Sequence, residues 1–116
     1  MITVFGCGGD RDKGKRPEMA RIAGILSDYV VVTSDNPRSE KPREIADQVC
    51  LGFPESFKNH VVTLDRQKAI RQALLMAREN DIVLLACKGH ETVQVIGNET
   101  LPFNDKEEAE RVLDGR

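Results

Sequence analysis

Short unbroken apolar runs alternate along this chain with stretches whose apolar positions recur every three or four residues. Ile2-Thr3-Val4-Phe5, Tyr29-Val30-Val31-Val32-Thr33, Val61-Val62-Thr63-Leu64 and Ile82-Val83-Leu84-Leu85-Ala86 are runs of the first kind and read as strands, the run at 29–33 as one covered on both faces. Between the first two, Met19, Ile22, Ala23 and Leu26 keep helical spacing, which predicts a helix near 17–27 with Pro17 at its first position. Pro42 opens a second helix carrying Ile45, Ala46 and Val49, and Gly52 stops it. Residues 52–60 read as loop. Asp65 is the N-cap of a third helix holding Ala69, Ile70, Ala73, Leu74 and Ala77 and ending near Asn80. Thr92–Ile96 and Glu99–Phe103, joined by Gly97-Asn98, predict a β-hairpin. Asn104 or Asp105 caps a last helix with Ala109, Val112 and Leu113. Alternating strand and helix predicts an α/β domain: a mostly parallel sheet flanked by helices, with an antiparallel C-terminal hairpin or edge.

With 116 residues and no linker or repeat to divide them, one domain is expected. Apolar residues at 40% and charged residues at 31% fit a folded chain rather than a disordered one. A formal net charge of −2 gives no bulk attraction for nucleic acid or anionic lipid. No apolar run approaches the ~20 residues that span a bilayer, and no secretory leader pattern opens the chain. Cys7, Cys50 and Cys87 are widely spaced with no CxxC pair, so neither a zinc site nor a disulfide framework is expected. Cys7 and Cys50 read as small buried residues, and the compartment as reducing cytoplasm.

Three strands run into clusters of glycine, charged and amide residues: GCGGDRDKGKRP at 6–17, SDNPR at 34–38 and CKGHE at 87–91. In an open parallel sheet the carboxyl ends of the strands share one rim, where ligands bind. The first cluster approaches two phosphate motifs without completing either. Arg11 stands at the third glycine position of GxGxxG, and Arg16 follows GxxxxGK where Ser or Thr would ligate Mg2+. Asp10 and Asp12 would put negative charge inside a phosphate cradle. The segment is then either a solvated glycine turn or a loop presenting Arg11, Lys13, Lys15 or Arg16 to a carboxylate or phosphate.

In the second cluster Arg38 offers a planar fork that matches a carboxylate. Asn36 can both donate and accept, and Pro37 fixes the backbone between them. Asp-Asn-Pro is equally ordinary turn chemistry. In the third cluster Glu91 can pair with an ammonium and Gly89 permits close backbone approach. His90 has no nucleophile in a recognisable partner motif, so a hydrogen-bonding role is expected of it. Lys88 reads as solvent-facing or as a ligand for an anion. Cationic forks at Arg11 and Arg38 with an anion at Glu91 suit a ligand bearing both carboxylates and amines.

Read in order, GCGGDRDKGKRP, DNPR and CKGHE resemble the carboxy-terminal domain of the Mur ligases of peptidoglycan synthesis, from Ile2 to about Leu113. DNPR resembles the form found where meso-diaminopimelate, rather than lysine, is added. The resemblance implies a Rossmann-like fold and a role in an ATP- and Mg2+-dependent ligase that activates the carboxylate of a UDP-MurNAc-dipeptide as an acyl phosphate. It implies that Arg11 binds a diaminopimelate carboxylate, that Asp35, Asn36, Pro37 and Arg38 form the recognition motif with Arg38 on the distal carboxylate, and that Glu91 holds the distal ammonium. Cys87 stands where the family has glycine and would serve through its backbone, with Gly89 and His90 in support. Asp10 and Lys13 would touch nucleotide or order the loop. The family's P-loop, modified lysine and UDP-sugar domain have no counterpart here, so the chain is expected to be a fragment, inactive alone and carrying no catalytic residue of its own. ATP and Mg2+ would be held mainly by the missing central domain. A free-standing amino-acid or nucleotide binding module is the alternative. A receiver-like or flavodoxin-like domain lacks its acidic cluster at the first strand end and leaves DNPR and GHE unexplained.

Overall fold

The computed structural model describes residues 1–9, 13–86, 93–96, 99–102 and 110–111. Four short strands, β1 (Ile2–Phe5), β2 (Tyr29–Val32), β3 (His60–Val62) and β4 (Val83–Leu85), form one sheet in the order β3-β2-β1-β4. Every pairing in it is parallel, with Val4 opposite Val31 on one side and Leu85 on the other. The connecting helices are α1 (Lys15–Leu26), α2 (Pro42–Cys50) and α3 (Arg66–Met76).

Alternation along the strands divides the core. Phe5, Val30 and Val32 face Ala20 of α1 and Ile45, Ala46 and Val49 of α2. Ile2, Val4 and Val31 face Ala69 and Ala73 of α3. A strand buried on both faces has no polar side to expose, hence the unbroken apolar runs in the sequence. Thr3 faces the α1 layer, and its hydroxyl is satisfied by Ser27 Oγ at 2.6 Å, just past the end of α1. The chain builds outward from β1 to β3 beneath α1 and α2, then crosses to the other face through α3 and returns beside β1. The order therefore reverses between β1 and β4, the position at which open α/β sheets hold ligands.

Element boundaries moved for identifiable reasons. The helix placed near 17–27 starts at Lys15. Pro17 sits in its first turn, where the absent N–H would have had no helical partner anyway. Pro42 does open α2, preceded by an extended Lys41 as the steric rule requires. Gly52 follows α2 as expected, but its glycine character serves packing: a Cβ there would lie 1.8 Å from the Pro17 carbonyl oxygen. Asp65 caps α3, accepting from the Lys68 N–H at 3.2 Å. The helix stops at Met76 rather than near Asn80, because the Asp81 carboxylate takes the Arg78 N–H at 2.7 Å and Asn80 adopts φ 75°, a local polar turn that competes with helix. The strand placed at 61–64 begins at His60 and ends at Val62, since the Leu64 carbonyl is taken by the Ser34 hydroxyl at 2.7 Å.

The hairpin forms from β5 (Val93–Ile96) and β6 (Glu99–Pro102), antiparallel, as a two-stranded sheet of its own. Pro102 lies at the end of its strand, where a missing ladder donor is tolerated. Of the last expected helix only Glu110 and Arg111 are described, and both are helical; its remaining residues, and the Gly97-Asn98 turn, lie outside the described residues. No helix among the described residues is long and apolar enough to cross a membrane.

Ile70 is fully buried on α3, whereas Leu51 is 79% exposed after α2. Ile70→Ala is expected to cost about 3 kcal/mol and Leu51→Ala less than about 0.5 kcal/mol, read by urea unfolding; equal costs would contradict this placement of the core.

Candidate functional site

Parallel pairing sets the carboxyl ends of β1, β2 and β4 on one rim, so the three clusters leave the sheet on the same side. The first two meet directly. The Gly9 N–H donates to the Asn36 carbonyl at 2.6 Å. A Cβ on Gly9 would lie 1.7 Å from the Pro37 carbonyl oxygen, so the loop after β1 and the loop after β2 are in backbone contact that only glycine permits. Asp35 and Asn36 are buried and Pro37 is fully so.

The turn they lead into is unusual at Arg38. The Glu40 N–H donates to the Pro37 carbonyl at 3.0 Å, closing a turn. Arg38 holds φ 53° within it, the left-handed region that non-glycine residues adopt at a cost of order 1–3 kcal/mol. Its guanidinium lies back over the junction of the two loops, where Nη1 donates to the Gly9 carbonyl at 3.0 Å and to the Asn36 carbonyl at 3.2 Å. Both bonds leave from one nitrogen of a five-donor group, and the opposite edge of the fork is the geometry an incoming carboxylate needs. The left-handed turn and the anchored guanidinium together fix Arg38 before any ligand arrives.

Two further arginines, neither singled out in the sequence for such a role, hold this arrangement from below. Arg16 was expected among the side chains a loop could present to an anion; it is instead 1% exposed. Its Nη1 donates to Gln48 Oε1 of α2 at 2.8 Å, and its Nη2 donates to the Gly8 carbonyl at 3.0 Å and pairs with Glu40. Among the described residues its Nε finds no acceptor. Arg66, also 1% exposed, donates from Nη1 to the Ser34 carbonyl at 3.0 Å and from Nη2 to the Ala86 carbonyl at 3.2 Å. One signal was available in the sequence: both stand in the first turn of a helix, where the macrodipole disfavours a cation. A cation in that position is better explained by a fixed partner than by solvent.

The other expected site residues divide by position. Lys13 is exposed and lies 3.3 Å from Glu40, so that carboxylate sits between two cations. Lys15 is exposed on α1. Asp10, Arg11, Cys87, Lys88, Gly89, His90 and Glu91 lie outside the described residues; the third cluster is represented by its stem, Ala86, whose N–H donates to the Val4 carbonyl at 2.9 Å. Cys7 is buried as expected, with its thiol 3.4 Å from Met19 Sδ. Cys50 is half-buried, and burial pushes its thiol up from its ordinary value, with Asp47 adding to the shift and Arg43 opposing it; it is a poor thiolate at neutral pH.

Among its described residues the rim does not fit a Mg2+–nucleotide cradle of the P-loop kind. Arg16 replaces the metal-ligating hydroxyl and binds the Gly8 carbonyl beneath the loop. Among the described residues no cluster of His, Cys, Asp or Glu has metal-site geometry. An apolar hollow of about 190 Å³ between α1 and the β1–β4 edge, lined by Phe5, Met19, Ile22, Leu26 and Leu84 among others, offers nothing to a charged ligand.

A family model described as Mur ligase, glutamate ligase domain, matches residues 1–89. The chain belongs to the Mur ligase family. It is 55% identical over 113 residues to the UDP-N-acetylmuramoyl-L-alanyl-D-glutamate–2,6-diaminopimelate ligase of Synechococcus sp. (strain WH7803), covering 97% of this chain and 22% of that protein. It is likewise 55% identical over 114 residues to the ligase of the same name from Coxiella burnetii, covering 97% of this chain and 23% of the relative. A solved structure of a ligase bearing that name superposes with a TM-score of 0.93 at 40% identity, over 98% of this chain and 23% of the other. The chain thus spans under a quarter of the length of these Mur ligases, and the expected α/β fold is the one they share with it.

Because the two loops touch through position 9, Gly9→Ala is expected to destabilise the chain by about 1–3 kcal/mol through forced displacement of one loop. Urea unfolding measures this, and unchanged stability would contradict the close approach.

Proposed function

We propose that this chain is the carboxy-terminal, amino-acid-delivering domain of a ligase that adds meso-diaminopimelate to UDP-MurNAc-L-Ala-D-Glu during peptidoglycan synthesis. The observation that carries the reading is the DNPR turn, with Arg38 fixed over the junction of two strand-end loops. A ligand with carboxylates at both ends and amines beside them needs a charge-assisted fork in a set place, and planar bidentate recognition is what arginine supplies and lysine does not. The names of the relatives agree with that substrate.

In this reading Arg38 and Arg11 take the two carboxylates of the diamino acid, and Glu91 takes the distal ammonium. Asp35, Asn36 and Pro37 shape the turn, and Cys87 acts through its backbone, with Gly89 and His90 supporting that loop. Asp10 and Lys13 would touch nucleotide or order the loop. The reaction consists of phosphorylating the dipeptide carboxylate and displacing phosphate from the acyl phosphate by the free amine, which forms the amide and releases a proton. This domain contributes orientation: holding the distal end of the diamino acid leaves the other amine directed at the acyl carbon, and such positioning supplies much of the rate of amide formation. ATP and Mg2+ would be held mainly by the rest of the ligase. The chain alone is accordingly inactive, and nucleotide-linked substrates put the work in the cytoplasm.

In the full-length ligase, Arg38→Ala is expected to raise the KM for meso-diaminopimelate about 100-fold, the loss of a charge-assisted pair, with the KM for ATP unchanged. Wild-type enzyme is expected to prefer diaminopimelate to lysine. Steady-state kinetics with both amino acids test this, and equal use of the two, or an indifferent Arg38→Ala, would overturn the proposal.

A further inference from the structure

We infer that Arg66 is a positioning residue of the amino-acid site, holding the DNPR turn in register with the strand end from which the third cluster departs. The inference rests on the function proposed above and adds a residue on α3, on the opposite face of the sheet from α1 and α2.

Arg66 is the first residue of α3 and its side chain is 1% exposed. Its two terminal nitrogens go to different strand-end segments: Nη1 to the Ser34 carbonyl at 3.0 Å and Nη2 to the Ala86 carbonyl at 3.2 Å. Ser34 immediately precedes Asp35-Asn36-Pro37-Arg38, and Ala86 immediately precedes CKGHE. The Ser34 hydroxyl also donates to the Leu64 carbonyl at 2.7 Å, and the Asp65 cap fixes the start of α3 beside it. The segments after β2 and β4 therefore meet at one guanidinium, and the segment after β3 is tied to the first of them through Ser34.

A planar group with two separated N–H edges can span two carbonyls in fixed geometry, whereas an ammonium is a point donor. Arg66 is buried beneath the loops, and its effect on binding passes through the Arg38 turn. Two groups that recognise opposite charges on one ligand must be held at a set separation, and a displacement on the order of 1 Å can cost about 100-fold.

The test is steady-state kinetics of the full-length ligase with Arg66→Lys and Arg66→Ala, alongside thermal unfolding. Arg66→Lys is expected to raise the KM for meso-diaminopimelate at least about tenfold and to erode the preference over lysine, with the KM values for ATP and UDP-MurNAc-dipeptide within about twofold of wild type. Millimolar guanidinium added to Arg66→Ala is expected to restore part of the diaminopimelate KM, a rescue that a general loss of stability would not show. If neither of these variants folds, Arg66→Gln, which keeps an N–H donor on a shorter uncharged side chain, is read instead, with the same selective rise in KM expected. Unchanged diaminopimelate kinetics in a folded variant, or equal rises for all three substrates, would overturn the inference while leaving the proposed function standing. A wild-type enzyme that does not use diaminopimelate would overturn both.

Discussion

The hydrogen bond from the Gly9 N–H to the Asn36 carbonyl joins two loops that leave neighbouring parallel strands. Parallel strands with both faces covered leave only the rim for a ligand, and on that rim the backbones after β1 and β2 run together. The absence of a side chain at position 9 makes the contact possible, since a Cβ would overlap the Pro37 carbonyl. Everything that shapes the candidate site follows from this contact: the burial of Asn36 and Pro37, the turn closed at Glu40, and the lodging of the Arg38 guanidinium on the Gly9 and Asn36 carbonyls. In the proposed reading a ligand carboxylate meets a cation already in place, which lowers the ordering cost of binding.

Three arginines with different exposure divide the work. Arg38 is half-buried at the junction of the two loops. Arg16 and Arg66 are buried; Arg66 donates to the Ser34 and Ala86 carbonyls, and Arg16 donates to the Gly8 carbonyl and to the side chains of Gln48 and Glu40. Burying a cation costs several kcal/mol unless it is paired and hydrogen-bonded. The carbonyls concerned end strands or lie in loops, where the ladder no longer satisfies them. One set of bonds therefore answers two needs: strand-end carbonyls gain donors, and loops from three strands gain a fixed separation. Arg16 acts from the α1–α2 face and Arg66 from the α3 face, so the turn between them is held on both sides of the sheet.

Much of this was legible in the sequence because local and tertiary signals agree. The apolar runs at Ile2, Tyr29 and Ile82 read as strands, the second of them buried on both faces, Asp65 read as a cap, and Pro42 as a helix start. The three clusters read as one rim because parallel topology leaves no other arrangement. What failed was whatever depends on contacts between distant segments. Arg16 reads as an exposed cation in a run of charges, and nothing local reveals that Glu40 and Gln48 stand around it. Arg66 follows a good N-cap and looks like a solvent-facing helix residue. Gly52 reads as a helix stop, and its contact with Pro17 needs α1 and α2 side by side. The left-handed Arg38 is likewise invisible, since Pro37 suggests a turn without saying which residue takes the strain.

The central claim is that the rim is assembled before any ligand binds, through the contact between the loops after β1 and β2. Native-state hydrogen exchange at the Gly9 amide measures that contact directly in the ligand-free chain. Exchange only through global unfolding, with protection matching that of Val31 in the centre of the sheet, is the predicted result. Exchange at the rate of an open surface loop, while Val31 stays protected, would contradict the account.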